Sequence, residues 1–367
     1  MPRTYWRILA STLACALTTC ASEPFPPVPK GYPQAYFQTV EKAEDEGALM
    51  IWSATDRQKV APLLEAFHRF YPEVPVTYVE LSAGELNDRF VKAADAGARV
   101  PDLLWSAAMD LQIKLVNDGY TQRYISPERR HLPAWANWKN QAWGTTAEPI
   151  VFVYNRRLID SAAVPRDHSS LVRFLESRPP ELRGKVATYD LPSSAVGYLY
   201  LSQDEQATHD VWRLIRAMAL NRVHIFKSAE DVLRDVADGR SAVGYDIVGS
   251  YVVGEQERNP HLGMVVPQDY TLVMSRIAVI PAAAPHPNAA RLFLDFLLSR
   301  RGQQLLAEQH MPSVRSDVSG PAALHPPGAP FRAIRVGPAL LVDSDRLTRK
   351  YFLRRWRQSL GLPAAEL

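Results

Sequence analysis

From residue 48 onward, short apolar runs alternate with amphipathic helical patterns, and no other feature restricts the fold as much. ALMIWSA at 48–54 suits a buried strand. Val60, Leu63, Leu64, Phe67 and Phe70 then fall at i, i+3, i+4, i+7 and i+10, an amphipathic helix that Pro72 and Pro75 end. VTYVEL at 76–81 alternates as a second strand. Ser82 and Glu85 form a capping-box pattern before a helix carrying Leu86, Phe90 and Ala94. DLLWS at 102–106 reads as a third buried strand, and a helix over Leu111–Asn117 stops at Gly119. This spacing specifies right-handed βαβ units and a parallel sheet.

The pattern then restarts. PIVFVYN at 149–155 is a long apolar strand placed to carry the chain to a second lobe. KVATYD at 185–190 is a strand, followed by a helix near 194–202 and another marked by Val211, Leu214, Ile215 and Met218. Ser228 and Asp231 cap a further helix, SAVGYD at 241–246 is a short strand, and a helix over 248–257 follows. The strand-rich run 264–281 crosses back, and Pro287 opens a helix with Ala290, Phe293, Leu294 and Leu297 inward. A length of 367 residues accommodates two domains. The expected organisation is a signal peptide at 1–22 and a Pro-rich linker with a first helix at 23–47. Lobe one begins at 48–148, the crossover and lobe two take 149–270, and the chain returns to lobe one at 271–312. A Pro/Gly-rich segment and a basic amphipathic helix close it at 313–367.

The amino terminus has the form of an export leader. Arg3 and Arg7 precede an uncharged, mildly apolar run from Ile8 to Leu17, and small residues follow at Thr19, Cys20, Ala21 and Ser22. Two processing routes stay open: an ordinary cut near Ala21 or Ser22, or a lipobox-like LTTC that leaves Cys20 lipid-modified. Thr19 departs from the small residue that normally precedes a lipobox cysteine. Cys15 and Cys20 are the only cysteines, so a cut beyond them leaves no thiol for a disulfide, a nucleophile or a metal. A periplasmic location is expected.

Charge excludes further classes. Forty-two basic residues face 39 acidic ones, so the whole-chain balance shows no basic excess and no nucleic-acid partner is expected. The nine histidines are scattered and no HExxH or Cys/His cluster occurs, so neither a metal nor a cofactor is expected. GxSxG, GxGxxG and GxxxxGK[ST] are all absent, which argues against an enzyme.

Several strings resemble the bacterial extracellular solute-binding proteins of ABC transporters, in the type II group that includes ferric-iron-binding proteins. They are ALMIWSATD (48–56), PDLLWSAAMD (101–110), EPIVFVYNRRL (148–158), VATYD (186–190), AVGYDIVGSY (242–251) and HPNAARLFLDFLLSRRGQQLLA (286–307). The resemblance implies an α/β fold of two lobes, each a mainly parallel sheet flanked by helices, joined by crossover strands. It implies a solute held between the lobes and, as partners, a permease and ATPase complex. A monomer is expected. A ligand-binding partner of a membrane sensor kinase is the alternative from another class.

In such sheets ligands sit beyond the carboxyl ends of strands, where helix N-termini favour anions. Four hydroxyl- or carboxylate-bearing turns qualify: Ser53, Thr55 and Asp56; Ser106 with Asp110; Ser193 and Ser194; Tyr245 with Asp246. The serines, the threonine and the aspartates among them each have a plain reading as a helix cap. Arg276 lies inside the apolar run LVMSRIAVI and needs a partner or a wet cleft; it would suit an anionic ligand or bridge the lobes. Glu148 starts the first crossover and reads as a hinge residue, and Trp52 and Trp105 read as core. The expected solute is small, organic and anionic. Ferric iron is the alternative, but the adjacent tyrosine pair of the ferric-binding relatives is missing. Tyr198 and Tyr200 are near neighbours, and Tyr189 and Tyr245 stand at expected strand ends.

Overall fold

The computed structural model describes residues 28–177, 182–326 and 328–363. The expected leader, with Cys15 and Cys20, lies outside the described residues. Two sheets carry the architecture. The first runs β2 (Val76–Glu80), β1 (Leu49–Ser53), β3 (Leu103–Ser106), β12 (Ile277–Val279), β5 (Ala142–Gly144) and β4 (Asn137–Trp138). The second runs β13 (Phe331–Ala333), β11 (Thr271–Met274), β6 (Glu148–Asn155), β9 (Val243–Val248), β7 (Val186–Tyr189) and β8 (His224–Phe226). An additional strand, β10 (Leu262–Val265), pairs with the outer half of β6.

The sheets are mixed rather than mainly parallel. Strands joined through helices, β1 with β2 and β3, and β7 with β8 and β9, pair in parallel. Strands reached by a crossover enter in reverse: β12 is antiparallel to β3, and β6 is antiparallel to β9. Strand β11 still pairs with β6 in the second sheet, while β12 belongs to the first. The chain therefore passes between sheets at 145–147 and again at Ser275–Arg276.

Period-2 alternation divides the side chains of the first sheet between two cores. Ile51, Leu103 and Trp105 face α1 (Phe37–Glu46), α2 (Arg57–Phe70) and α10 (Pro287–Leu298), where Phe67 meets Phe293 edge-on at 5.1 Å. Trp52 and Leu104 join the other core, with Leu86 and Phe90 of α3 (Ala83–Asp95) and Ile113 of α4 (Met109–Asn117). That core continues through the second sheet and the buried faces of α6 (Ala195–Ala207), α7 (Val211–Leu220) and α8 (Ala229–Ala237).

Several elements carry too little pattern to be expected from sequence. Strands β4 and β5 span two and three residues. Helix α5 (His168–Glu176) is set by a capping box between Asp167 and Ser170. The Pro/Gly-rich stretch hides β13, which pairs in parallel with β11. Helix α9 (Gly249–Gln256) follows β9, α11 (Arg300–Glu308) follows α10, and α12 (Leu340–Ser344) precedes the basic helix α13 (Arg346–Ser359).

A cleft between the two sheets

A cleft of about 890 Å³ opens between the lobes, with both crossings beneath it. The N-termini of three helices converge on it. Ser82 of lobe one and Ser194 and Ser228 of lobe two line the cleft as N-caps. Their hydroxyls accept from the backbone N–H of Glu85, Gly197 and Asp231 at 3.3, 3.3 and 3.2 Å. Such ends present free N–H groups and partial positive charge to whatever occupies the space.

The floor is built around Arg276, only 1% exposed although it lies between two strands. Its Nε donates to Glu148 Oε1 at 2.8 Å and its Nη1 to Thr55 Oγ1 at 3.0 Å. Glu148 also accepts from the hydroxyls of Thr146 and Ser250. Burial alone would raise the Glu148 carboxyl, but Arg276 and these hydroxyls outweigh it and hold it below its ordinary range. Burial opposes the charge on Arg276, and Glu148 overrides it, so the guanidinium is held more firmly protonated than usual. The pair ties the second crossing, through Arg276, to the first residue of β6, directly after the first crossing.

Three tyrosines complete the lobe-two side of the floor: Tyr189 at the end of β7, Tyr200 on α6 and Tyr251 on α9. The hydroxyls of Tyr189 and Tyr200 are buried and have no hydrogen-bond partner among the described residues, and the two rings stand 6.4 Å apart. Burial raises both phenols far above their ordinary value, so they are neutral donors. A Cβ on Gly197 would stand 2.4 Å from Tyr189 Cβ and 2.7 Å from its Cγ, so only glycine lets the ring lie against α6. Lys59 Nζ and the Arg276 guanidinium lie 4.0 and 5.5 Å from the Tyr251 ring. Burial, and then Arg276, push Lys59 down to about 8.

The rim has the opposite character. Lobe one contributes Asp56, Glu80, Glu85 and Asp88, with Arg89; lobe two contributes Glu230 and Lys227. Partial burial raises Glu230, and Asp56 and Glu80 of the facing lobe raise it further.

Among the residues singled out from sequence, Asp56, Ser193, Ser194 and Arg276 line the cleft. Thr55 stands behind it and holds Arg276. Ser53 and Ser106 are spent on the chain itself: Ser53 donates to Trp105 O at 2.9 Å, and Ser106 accepts from Ala108 N at 3.2 Å. Asp110 is buried near Arg349 and Asp343 of the C-terminal helices, its carboxylate without a side-chain partner among the described residues and pushed up to about 6 by burial, against the backbone N–H of Leu111. Tyr245 donates to Asp204 at 2.5 Å behind the lobe-two wall, and Asp246, at φ +65°, shares that buried carboxylate's surroundings. Burial, then Asp204, keep Asp246 well above the ordinary carboxyl value. Sequence reasoning missed Ser82 and Ser228 as cleft residues, reading them only as caps. It weighed Tyr189 and Tyr200 only for iron, and Tyr251 carried no signal.

Comparison with known proteins agrees with this geometry. A family model described as a bacterial extracellular solute-binding protein matches residues 63–326. A substrate-binding protein of an ABC transporter from Agrobacterium tumefaciens is 38% identical, with a TM-score of 0.80 over 85% of this chain and 94% of that one. The chain belongs to the bacterial extracellular solute-binding proteins. Members of this family carry small solutes to the permease and ATPase of ABC transporters, and their setting is extracellular or periplasmic. Iron-bound HitA from Pseudomonas aeruginosa shares the fold at 16% identity and TM-score 0.68, over 86% of this chain and 99% of its own. AfuA from Actinobacillus pleuropneumoniae, solved with fructose-6-phosphate, does so at 19% identity and TM-score 0.68, over the same shares. No curated protein sequence matches significantly. Among the described residues, no helix of this binding protein is long and apolar enough to cross a membrane. Nor does any group of three His, Cys, Asp or Glu side chains there suit a metal ion.

Proposed function

We propose that this binding protein captures a small anionic organic solute in the cleft and delivers it to an ABC permease. The observation that carries this reading is the floor: two neutral phenols whose hydroxyls lack partners among the described residues, near an Arg276 guanidinium whose charge Glu148 already balances. A buried hydroxyl without a partner costs about 1–3 kcal/mol, which a ligand acceptor would offset. An oxyanion reaching the floor meets phenol O–H donors and the positive ends of three helices. Ferric iron needs deprotonated phenolates and hard anionic ligands. Phenols raised by burial beside a guanidinium suit it poorly, although the nearness of Tyr189 to Tyr200 keeps iron as the competing cargo. Export through the leader, with Cys20 either lipidated or removed, belongs to the same proposal.

A thermal-shift screen of carboxylates, phosphate esters, phosphonates and Fe³⁺ tests it. A ligand at 100 times its dissociation constant adds about 2.7 kcal/mol to stability. Stabilisation by an organic anion and none by iron is the expected result. Stabilisation by iron alone, with a coloured product, overturns it.

A further inference from the structure

The C-terminal helix α13 presents a face that the cleft does not use. Its inner side is docked: Phe352 meets Tyr198 and Trp212 at 5.3 and 5.0 Å, and Leu353 and Trp356 are buried. Three of its cations are engaged inward. Arg349 lies 4.1 Å over Tyr198, Arg355 lies 4.1 Å over Trp212 and pairs with Glu205, and Arg357 donates to Pro363 O.

The outer side differs. Leu347, Tyr351, Arg354 and Gln358 fall at i, i+4, i+7 and i+11, one strip of helix surface. Leu347 and Tyr351 are 62% and 63% exposed, among the most exposed large apolar side chains described, with Val342 of α12 at 61% nearby in sequence. Arg346, Lys350 and Arg354 flank them, and none has a carboxylate partner among the described residues. The fourteen residues of α13 contain no acidic side chain; the nearest acid, Asp345, is used as its N-cap. The helix also lies beyond residue 326, where the family match ends.

We propose that this outer face docks on an anionic phospholipid surface. The chemistry is that of an interfacial amphipathic helix: Leu347 and Tyr351 enter the headgroup boundary while Arg346, Lys350 and Arg354 meet lipid phosphates. Charge complementarity selects this occupant. Lipid phosphates satisfy a strip of cations around an aromatic ring and a leucine that stand one turn apart on the same strip rather than scattered singly. Docking would hold the binding protein at the membrane without occupying the cleft.

The test is co-sedimentation of the full chain with phosphatidylcholine vesicles and with vesicles containing roughly 30% phosphatidylglycerol. Each near-surface cation is worth roughly fivefold, so three predict about 100-fold tighter binding to the anionic vesicles at low salt. High salt should remove most of the gain. K350E/R354E should lose at least about tenfold, and L347S/Y351S should weaken binding at both salt concentrations. Unchanged circular dichroism and solute binding confirm that each variant is folded, and R346Q/K350Q/R354Q serves if charge reversal does not fold. The leader is common to all variants, so binding through it would be insensitive to them and would overturn the proposal. Equal binding to both vesicle types, or none, overturns it as well. So does self-association that the α13 variants abolish without any vesicle binding, which assigns the face to a second copy.

Discussion

The two walls of the cleft are made of different chemistry. Lobe one presents carboxylates at the rim, Asp56, Glu80, Glu85 and Asp88 against the single cation Arg89. Lobe two contributes Glu230 and Lys227 but lines the cleft mostly with hydroxyls: Ser193 and Ser228, which donate to Asp190 and Asp231, and Ser194, Tyr189, Tyr200 and Tyr251. The neutral hydroxyls left free to donate there, those of Tyr189 and Tyr200, would suit an anion without a formal counter-charge. The exposed carboxylates of lobe one would not attract such an anion. If the cargo is the anion proposed above, capture falls to lobe two and closure to lobe one.

The largest expected effect lies where the walls meet. Glu148→Ala should destabilise the protein by about 3–5 kcal/mol, because it leaves the buried Arg276 guanidinium unpaired. Urea unfolding measures it, and a loss under about 1 kcal/mol would show that the crossings are not tied by this pair.

Next is Asp110, the lobe-one carboxylate buried without a side-chain partner among the described residues. Its folded value of about 6 lies above the ordinary 3.8, so the neutral form is the one compatible with folding. That contribution is full below about pH 4 and is lost as pH rises through 6. Asp110→Asn should therefore stabilise the protein by about 3 kcal/mol at pH 8 and hardly at all at pH 4. Equal changes at both pH values would mean that the carboxylate finds a partner in solution.

The contrast itself is sharpened by a pair of smaller effects. Tyr200→Phe should weaken binding of the best organic anion by roughly 10- to 150-fold, the worth of one hydrogen bond to a charged group. Glu85→Gln, on the exposed rim, should change affinity by no more than about threefold. Calorimetric titration of both variants decides. If Glu85→Gln has the larger effect, the division of labour between the lobes is reversed.

How much of this was legible depended on the residue type. Strands and helices with long periodic stripes, such as the one from Val60 to Phe70, are readable because burial imposes the period. Ser193 and Ser194 were readable as cleft residues because hydroxyls stand between a strand and a helix. Ser82 and Ser228 have the same form, yet capping explained them fully and hid their second role. The tyrosines were obscure for another reason. Tyr189 and Tyr200 are as buried as any core aromatic, and only an unpartnered hydroxyl separates a cleft wall from packing. Asp110 and Asp246 occupy the expected turns, but their side chains lie among C-terminal and lobe-two groups that are distant in sequence. Strands β4, β5 and β13 are too short, or too rich in proline nearby, for alternation to declare itself.

Gly197 gives this cleft a size setting made from a missing atom. Because no side chain occupies that position, the Tyr189 ring in the cleft lining lies against α6. Even an alanine Cβ would stand 2.4 Å from Tyr189 Cβ, a clash that ring rotation cannot relieve, so β7 and α6 would have to part and carry Tyr189 with them. Related binding proteins could thus diverge in the bulk of the cargo they accept through one helical position that never touches it, a route by which selectivity can drift while the recognition chemistry stays the same.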